Sequence, residues 1–162
     1  MDVFLANEQG VPLDEPLLAA LARHVLEAED VDGSAELSLL FVGADHIRRL
    51  NARYAGDDYA TDVLAFPMAE DEDDDDPLMV GDVVVCPEVA RENSTKAGTT
   101  LERELEMLVV HGTLHLLGYD HQNDAQRAAM EKRMSEIIAS FASFASPASP
   151  APPPPGPQAA PG

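Results

Sequence analysis

Four short segments of the chain have the hydrophobic pattern of β-strands. In each, apolar and polar residues alternate or β-branched residues cluster, and polar residues bound the segment. The segments are Asp2–Ala6, Glu36–Val42, Thr61–Phe66 and Val80–Cys86. The sequence therefore predicts four strands.

Helical periodicity fills the segments between the first three strands. Apolar residues of Pro16–Glu27 recur on one side of a helix. Asp45 is a candidate N-cap for a second helix, which buries Ile47 and Leu50 and ends near Tyr54. The order from the N-terminus is thus strand, helix, strand, helix, strand, strand.

The region after Cys86 is helical throughout. Pro87 suits the first turn of a helix, and Gly98 is expected to end that helix. Thr99 and Glu102 have the spacing of a capping box, which predicts that a long helix begins there.

A last amphipathic helix, from Asp124 to about Phe144, completes the pattern. Strands followed by helices predict an α+β domain, in which a small mixed β-sheet of about four strands is covered by helices. We expect a single domain over residues 1–145. Residues 146–162 are rich in Pro and Ala and are expected to form a disordered tail.

The charge of the chain is strongly negative. Among 162 residues, 10 Lys and Arg oppose 30 Asp and Glu, for a net charge of −20. A basic patch is the usual sign of a nucleic-acid-binding protein, so composition alone argues against polyanionic partners. Seven of the acids form the run Glu70–Asp76, which must be solvated and is predicted to be a surface loop between the third and fourth strands.

Cysteine content and hydropathy predict a cytoplasmic protein. The single cysteine, Cys86, cannot form an internal disulfide and is expected to be a buried thiol. The N-terminus lacks the features of a signal peptide. The most apolar segment, Leu105–Leu117, is shorter than the about 20 residues that a membrane span requires, so no membrane contact is expected.

Three histidines predict a metal site. His111 and His115 are four residues apart and therefore project from one face of a helix. Gly118 can end that helix and let the chain turn back, so that His121 approaches from a loop. Three imidazoles around one ion, with a fourth position open to water, are typical of catalytic zinc. The sequence thus predicts a zinc site at the end of the long helix.

The same spacing occurs in the metzincin metalloprotease motif HExxHxxGxxH. In that motif the glutamate is the general base that deprotonates the zinc-bound water. This chain has Gly112 at the glutamate position, so peptide hydrolysis by that route is disfavoured.

The segment HGTLHLLGYDH (111–121) closely resembles the signature of the YbeY family, bacterial metal-dependent endoribonucleases. Two further segments, LNARYAGDDYATDVLAFP (50–67) and GDVVVCPEVAREN (81–93), are similar to the other conserved blocks of that family. The resemblance implies an α+β fold and one zinc ion per chain, held by His111, His115 and His121. It also implies a single-strand-specific endoribonuclease that acts in late 16S rRNA 3′ end maturation and ribosome quality control. Its partners would be ribosomal RNA and ribosomal subunit components, not DNA.

Two positions depart from the family pattern. Ala55 stands where members usually have an arginine regarded as functionally important, and Ala65 stands where they favour serine. Phosphoryl transfer depends on cations that stabilise the charge of the transition state. Arg49 and Arg53, on the predicted second helix, are therefore candidate substrate-binding residues.

Carboxylates near the histidines are candidates for further roles. A metal-bound water of lowered pKa would attack phosphorus. Asp120 is expected to belong to the catalytic group together with the three histidines, orienting one of them. Glu104 lies seven residues before His111 on the same helix face and is another candidate base, although a surface salt bridge is its simpler role.

Two other functions are compatible with the sequence. One is a ribosome-assembly factor that binds RNA or protein and has weak or lost catalysis, as Ala55 suggests. The other is a metalloprotease-like hydrolase that uses a different base.

Overall fold

The computed structural model describes residues 1–68 and 79–145, and its elements confirm the predicted α+β class. The strands are β1 (Asp2–Glu8), β2 (Glu36–Val42), β3 (Val63–Pro67) and β4 (Met79–Val85). The helices are α1 (Glu15–Ala28), α2 (Ala44–Ala55), α3 (Pro87–Ala97), α4 (Leu101–Leu116) and α5 (Asp124–Ala145). The acidic run and the C-terminal tail lie outside the described residues.

The four strands form one mixed sheet in the order β1-β2-β4-β3. β1 pairs parallel with β2 and β2 pairs parallel with β4, whereas β3 is antiparallel to β4. The prediction of a small mixed sheet is therefore confirmed. β1 and β3 form the two edges of the sheet.

The two sheet faces are covered by different helices, because side chains alternate along each strand. On one face, Leu39 of β2 and Val83 of β4 belong to the main core with α1, α4 and α5. On the other face, Val42 and Val84 pack with Ile47 of α2 in a smaller cluster. The sheet thus separates α2 from α4.

The long helix α4 lies at the centre of the domain. It packs against α1, α3 and α5 and crosses β3 and β4. Gly112 brings α4 close to the sheet, since a β-carbon there would lie 2.6 Å from Cγ1 of Val83. None of the described helices is both long enough and apolar enough to cross a membrane.

Asp45 is not the N-cap of α2, contrary to the prediction. The cap is Gly43, and Asp45 lies inside the first turn, where its negative charge faces the positive end of the helix dipole. The carboxylate of Glu88 on α3 accepts a hydrogen bond of 3.2 Å from the Ala44 amide. A side chain from another helix therefore supplies the hydrogen-bond acceptor that was expected from Asp45.

The predicted capping box at Thr99 is also wrong, by one residue. Gly98 ends α3 with φ +71°, and the Thr99 amide donates to the Ser94 carbonyl at 2.9 Å. Because Thr99 still closes the preceding helix, α4 begins after Thr100, whose hydroxyl accepts a hydrogen bond from the Arg103 amide at 3.1 Å.

Cys86 is a fully buried free thiol, as predicted. It lies between β4 and α3, and burial raises the pKa of this thiol. A thiol held in its neutral form is a poor nucleophile, so Cys86 belongs to the packing of the domain.

Candidate metal centre

The C-terminal half of α4 carries the first two histidines. His111 and His115 are one turn apart, and both side chains are partly buried. Buried neighbours on the same helix, among them Val110 and Leu114, fix its rotation against the core. The helix face that bears the histidines is therefore set by packing.

A tight turn at Gly118 brings the chain back towards that face. Gly118 has φ +105°, a left-handed conformation that favours glycine. Its amide donates to the His115 carbonyl, and the Tyr119 amide donates to the Leu114 carbonyl, both at 3.1 Å. This pair of hydrogen bonds is the Schellman motif that commonly ends helices. As predicted, the turn directs the following residues back over α4.

The turn brings the three histidine rings together. The centre of the His121 ring lies 5.5 Å from that of His111 and 6.0 Å from that of His115. His121 is exposed, so the group opens to solvent on its side.

Asp120 lies in the same group. Ligand atoms of His115, Asp120 and His121 are all within 4.8 Å of one another. The carboxylate of Asp120 also accepts a hydrogen bond of 2.7 Å from the His121 amide, which fixes the loop. We call His111, His115, Asp120 and His121 the histidine cluster. The tightest triad within it thus contains a carboxylate and two imidazoles, with His111 beside it.

The environment of His111 favours the neutral imidazole that binds metals. Burial lowers the pKa of His111, and the nearby His121 and His115 lower it further, whereas Asp62 opposes the shift. A neutral imidazole has a free lone pair at neutral pH.

An unpartnered ring nitrogen also fits a cation. In the described part of the chain, Nδ1 of His115 is buried and has no hydrogen-bond partner. Leaving a buried polar atom unpaired costs about 1–3 kcal/mol, which a coordinated ion would offset. Imidazole nitrogens and a carboxylate oxygen are ligands that zinc accepts. The residues present can therefore hold a metal ion of this type.

Asp62, immediately before β3, is a neighbour of the cluster that local sequence patterns do not indicate. Its carboxylate accepts hydrogen bonds from the Asn93 amide group at 3.1 Å and the Thr61 hydroxyl at 3.4 Å. Its charge acts on both His111 and Glu104. Asp62 lies within a segment that resembles the YbeY family, but nothing in its local spacing indicates proximity to a helix that begins far along the chain.

Glu104 is not in a surface salt bridge, contrary to the simpler expectation. Only 9% of Glu104 is exposed, and it takes part in none of the ion pairs among the described residues. Burial raises the pKa of Glu104, and the charge of Asp62 raises it further. The packing of other elements against α4 accounts for this burial, which helical periodicity alone did not predict.

The predicted substrate-binding arginines lie on the other side of the sheet. Arg49 and Arg53 are exposed on α2, where they line an open groove of about 490 Å³. Within the described residues, no hydrogen bond or ion pair joins them to the histidine cluster. A second groove, of about 670 Å³, lies between β1, α1 and α5 and contains no residue of the cluster.

Ala55 and Ala65, which depart from the family pattern, occupy different environments. Ala55 is the exposed last residue of α2, followed by Gly56 with φ +77°. Ala65 is partly buried on β3 and pairs with Val83. An arginine side chain at position 55 would therefore project into solvent and would not require the core to repack.

Comparison with known proteins gives consistent matches along the chain. The family model described as Endoribonuclease YbeY matches residues 4–142. Proteins named Endoribonuclease YbeY are similar over most of their lengths. The one from Frankia casuarinae is 45% identical over 150 residues, covering 87% of this chain and 75% of its own. Its counterpart from Salinispora tropica is 41% identical over 151 residues, covering 87% and 96%.

A solved structure has a similar fold. The solution structure of a Thermotoga maritima protein matches with a TM-score of 0.57 and 27% sequence identity. The match covers 95% of this chain and 99% of that one.

Proposed function

The chain belongs to the Endoribonuclease YbeY family, and from this membership we propose that it is a zinc-dependent enzyme that cuts single-stranded RNA. We further propose that it acts in the cytoplasm, in late maturation of the 16S rRNA 3′ end and in ribosome quality control. Its partners are then ribosomal RNA and ribosomal subunit components. Residues 1–145 form the catalytic domain in this proposal.

The convergence of the three histidine rings carries the proposal. Rings from a helix and from the loop that follows it lie 5.5 and 6.0 Å apart, which suits ligands that share one ion. The exposure of His121 leaves this side of the cluster open to water and to a phosphodiester.

Zinc bound here would supply a water of lowered pKa, about 7, and a Lewis acid for a phosphoryl oxygen. The remaining work falls to the side chains. Burial keeps His111 neutral and ready to bind. Asp120 holds the His121 backbone in place and offers a carboxylate within the tightest triad.

A second candidate function is supported by Ala55. An assembly factor that binds RNA without cutting it would retain the metal for stability, while the arginine usual in the family is missing. The two functions differ in turnover and in their response to Ala55→Arg. That substitution should raise RNA cleavage if the missing cation limits the reaction.

Peptide hydrolysis by the metzincin route, which needs a glutamate base next to the first histidine, is disfavoured by packing. Gly112 occupies the position of the protease general base, and a β-carbon there would lie 2.6 Å from Val83. The backbone thus approaches the sheet too closely for a glutamate at this position.

The test combines metal analysis with an RNA cleavage assay. The purified chain should contain one equivalent of zinc and cut single-stranded RNA, and chelation should abolish cleavage. His115→Ala should lose both zinc and cleavage, since it removes a ring from the tightest triad.

His24→Ala is the matched control, because His24 lies on α1, away from both the histidine cluster and α2. It should retain zinc and activity. Cleavage that survives both chelation and His115→Ala would refute a metal-dependent reaction at this site. Zinc binding without any RNA cleavage would favour the assembly factor.

A further inference from the structure

The exposed side of α2 and the loop after it carry cations and aromatic rings in an otherwise acidic protein. Of the 10 Lys and Arg residues, Arg48, Arg49 and Arg53 all lie on α2. Two large exposed aromatic residues follow, Tyr54 at the end of the helix and Tyr59 in the loop. The net charge of −20 does not predict such a local concentration of arginines and exposed aromatic rings.

The three arginines are not equivalent. Arg48 donates to Asp58 through Nε at 2.8 Å and through a terminal nitrogen at 3.3 Å, so its charge is already paired. Arg49 and Arg53 take part in none of the ion pairs among the described residues. Their charges remain available for an anionic partner.

The two tyrosines present a large apolar surface to solvent. Tyr54 is 60% exposed and Tyr59 is 57% exposed. The Tyr54 ring meets Phe66 of β3 edge-on at 5.4 Å, and the Arg53 guanidinium lies 5.3 Å from its centre. Contacts on two sides hold this ring in place, which lowers the entropy lost when a further ring stacks on it.

The same surface leads to the histidine cluster. Tyr59 is anchored by its carbonyl, which accepts a hydrogen bond of 3.0 Å from Asn51 of α2. Three residues later, Asp62 directly precedes β3, the edge strand that packs against α4. On β3, Phe66 faces α2 while Val63 lies against Gly112 of α4, and β3 is an edge strand. A chain that passes around the β3 edge can therefore contact both α2 and the cluster.

We infer that Tyr54 and Tyr59 stack bases of a single-stranded RNA whose phosphates contact Arg49 and Arg53, an inference that rests on the proposed function. Stacking on aromatic side chains together with cations along the backbone is the common mode of single-strand binding. The exposed tyrosine rings suit unpaired bases, because the bases of a duplex are stacked on one another and cannot stack on a protein side chain. The two arginines also supply positive charge next to Ala55, where the family cation is missing.

The inference is tested by binding of a labelled oligonucleotide to the full chain. The probe is a nuclease-resistant 2′-O-methyl phosphorothioate RNA of about 12 nucleotides, within the usual site size, followed by fluorescence anisotropy. Tyr54→Ala should raise the Kd about tenfold, and Tyr54→Phe should change it less than about twofold, because a phenyl ring still stacks. Arg53→Gln should reduce the slope of log K against log salt by about 0.7, the value for one phosphate contact on a single strand.

Phe4→Ala is the matched control, since Phe4 is 54% exposed on β1, at the opposite edge of the sheet. It should leave the Kd unchanged. Wild-type Kd values for both Tyr54→Ala and Tyr59→Ala, in proteins with wild-type melting temperatures, would overturn the inference.

The inference and the proposed function fail separately. If the wild-type chain cuts RNA while both tyrosine variants bind and cut equally well, only the inference is wrong. If Tyr54→Ala weakens binding while the wild-type chain cuts no RNA, the inference holds and the proposed nuclease function fails.

Discussion

Glu104 shows how one buried carboxylate links stability to pH. Its pKa is raised by burial and then by the charge of Asp62. In the window between its ordinary pKa and the raised value, the folded state binds more protons at Glu104 than the unfolded state does. The contribution of Glu104 to the free energy of unfolding therefore falls as pH rises through this window.

Glu104→Gln should remove this effect, because glutamine cannot ionise. Relative to wild type, the variant should gain stability as pH rises from about 4, near the ordinary pKa of a glutamate, to about 7. The measurement is urea unfolding at both pH values. Glu102→Gln, at an exposed position of the same helix, controls for the loss of one charge. An equal stability difference at both pH values would contradict the assignment of the raised pKa to Glu104.

The histidine cluster depends on the turn that ends α4. Gly118→Ala places a side chain at φ +105°, and should cost about 1 kcal/mol of stability. Because the turn directs His121 towards α4, the variant should also bind zinc more weakly, as measured by competition with a chromogenic chelator.

Gly98→Ala is the control, because Gly98 also has a positive φ angle. Gly98 has φ +71° at the end of α3, outside the histidine cluster. It should lose a similar amount of stability and keep the zinc affinity of wild type. Equal zinc affinity in both variants would show that the Gly118 turn does not position His121.

The close approach of α4 to the sheet depends on Gly112. Alanine has the higher helix propensity by about 1 kcal/mol, but its β-carbon would lie 2.6 Å from Val83. Forcing β4 and α4 apart should outweigh that gain, so Gly112→Ala should lose about 1–2 kcal/mol. The measurement is the urea midpoint at an unchanged m-value.

Gly33→Ala serves as the reference for Gly112→Ala. A β-carbon at Gly33 meets no atom within 4 Å, so this variant should stay within about 0.5 kcal/mol of wild type. A Gly112→Ala protein as stable as wild type would mean that α4 can shift away from the sheet without loss.

The whole molecule carries a charge that opposes RNA, so binding must rely on local cations. Seven of its 30 acids lie in Glu70–Asp76, and without them the net charge would be −13. Replacing these residues by their amides should tighten RNA binding at about 10 mM salt, where the Debye length is about 30 Å. The gain should disappear at about 1 M salt, where the Debye length is about 3 Å.

Anisotropy titrations with the same oligonucleotide at both salt concentrations measure this effect. A gain that persists at high salt would show that the acidic run affects RNA by direct contact and not through the net charge. A variant with seven exposed acids changed elsewhere would separate location from total charge; these are Asp2, Glu8, Glu15, Glu27, Asp30, Asp124 and Glu131.

Local patterns in the sequence were sufficient to predict the helices and strands and the spacing of the histidines. Strand β2 has the predicted bounds, and the other strands differ from prediction by one or two residues. The pairing of His111 with His115 and the turn at Gly118 follow from geometry within one helix and its end. Such features depend on residues a few positions apart, so their physical causes are present in the sequence itself.

The tertiary structure determined which polar groups are buried and which charged groups lie close enough to interact. The burial of Glu104 requires other elements to pack on α4, and the influence of Asp62 on His111 requires β3 to lie against that helix. The cap of α2 likewise uses Glu88 from a different helix. Burial and electrostatic coupling depend on distances between segments far apart in the chain. Only the packing of the helices on the sheet sets those distances, and hydrophobic periodicity does not record them.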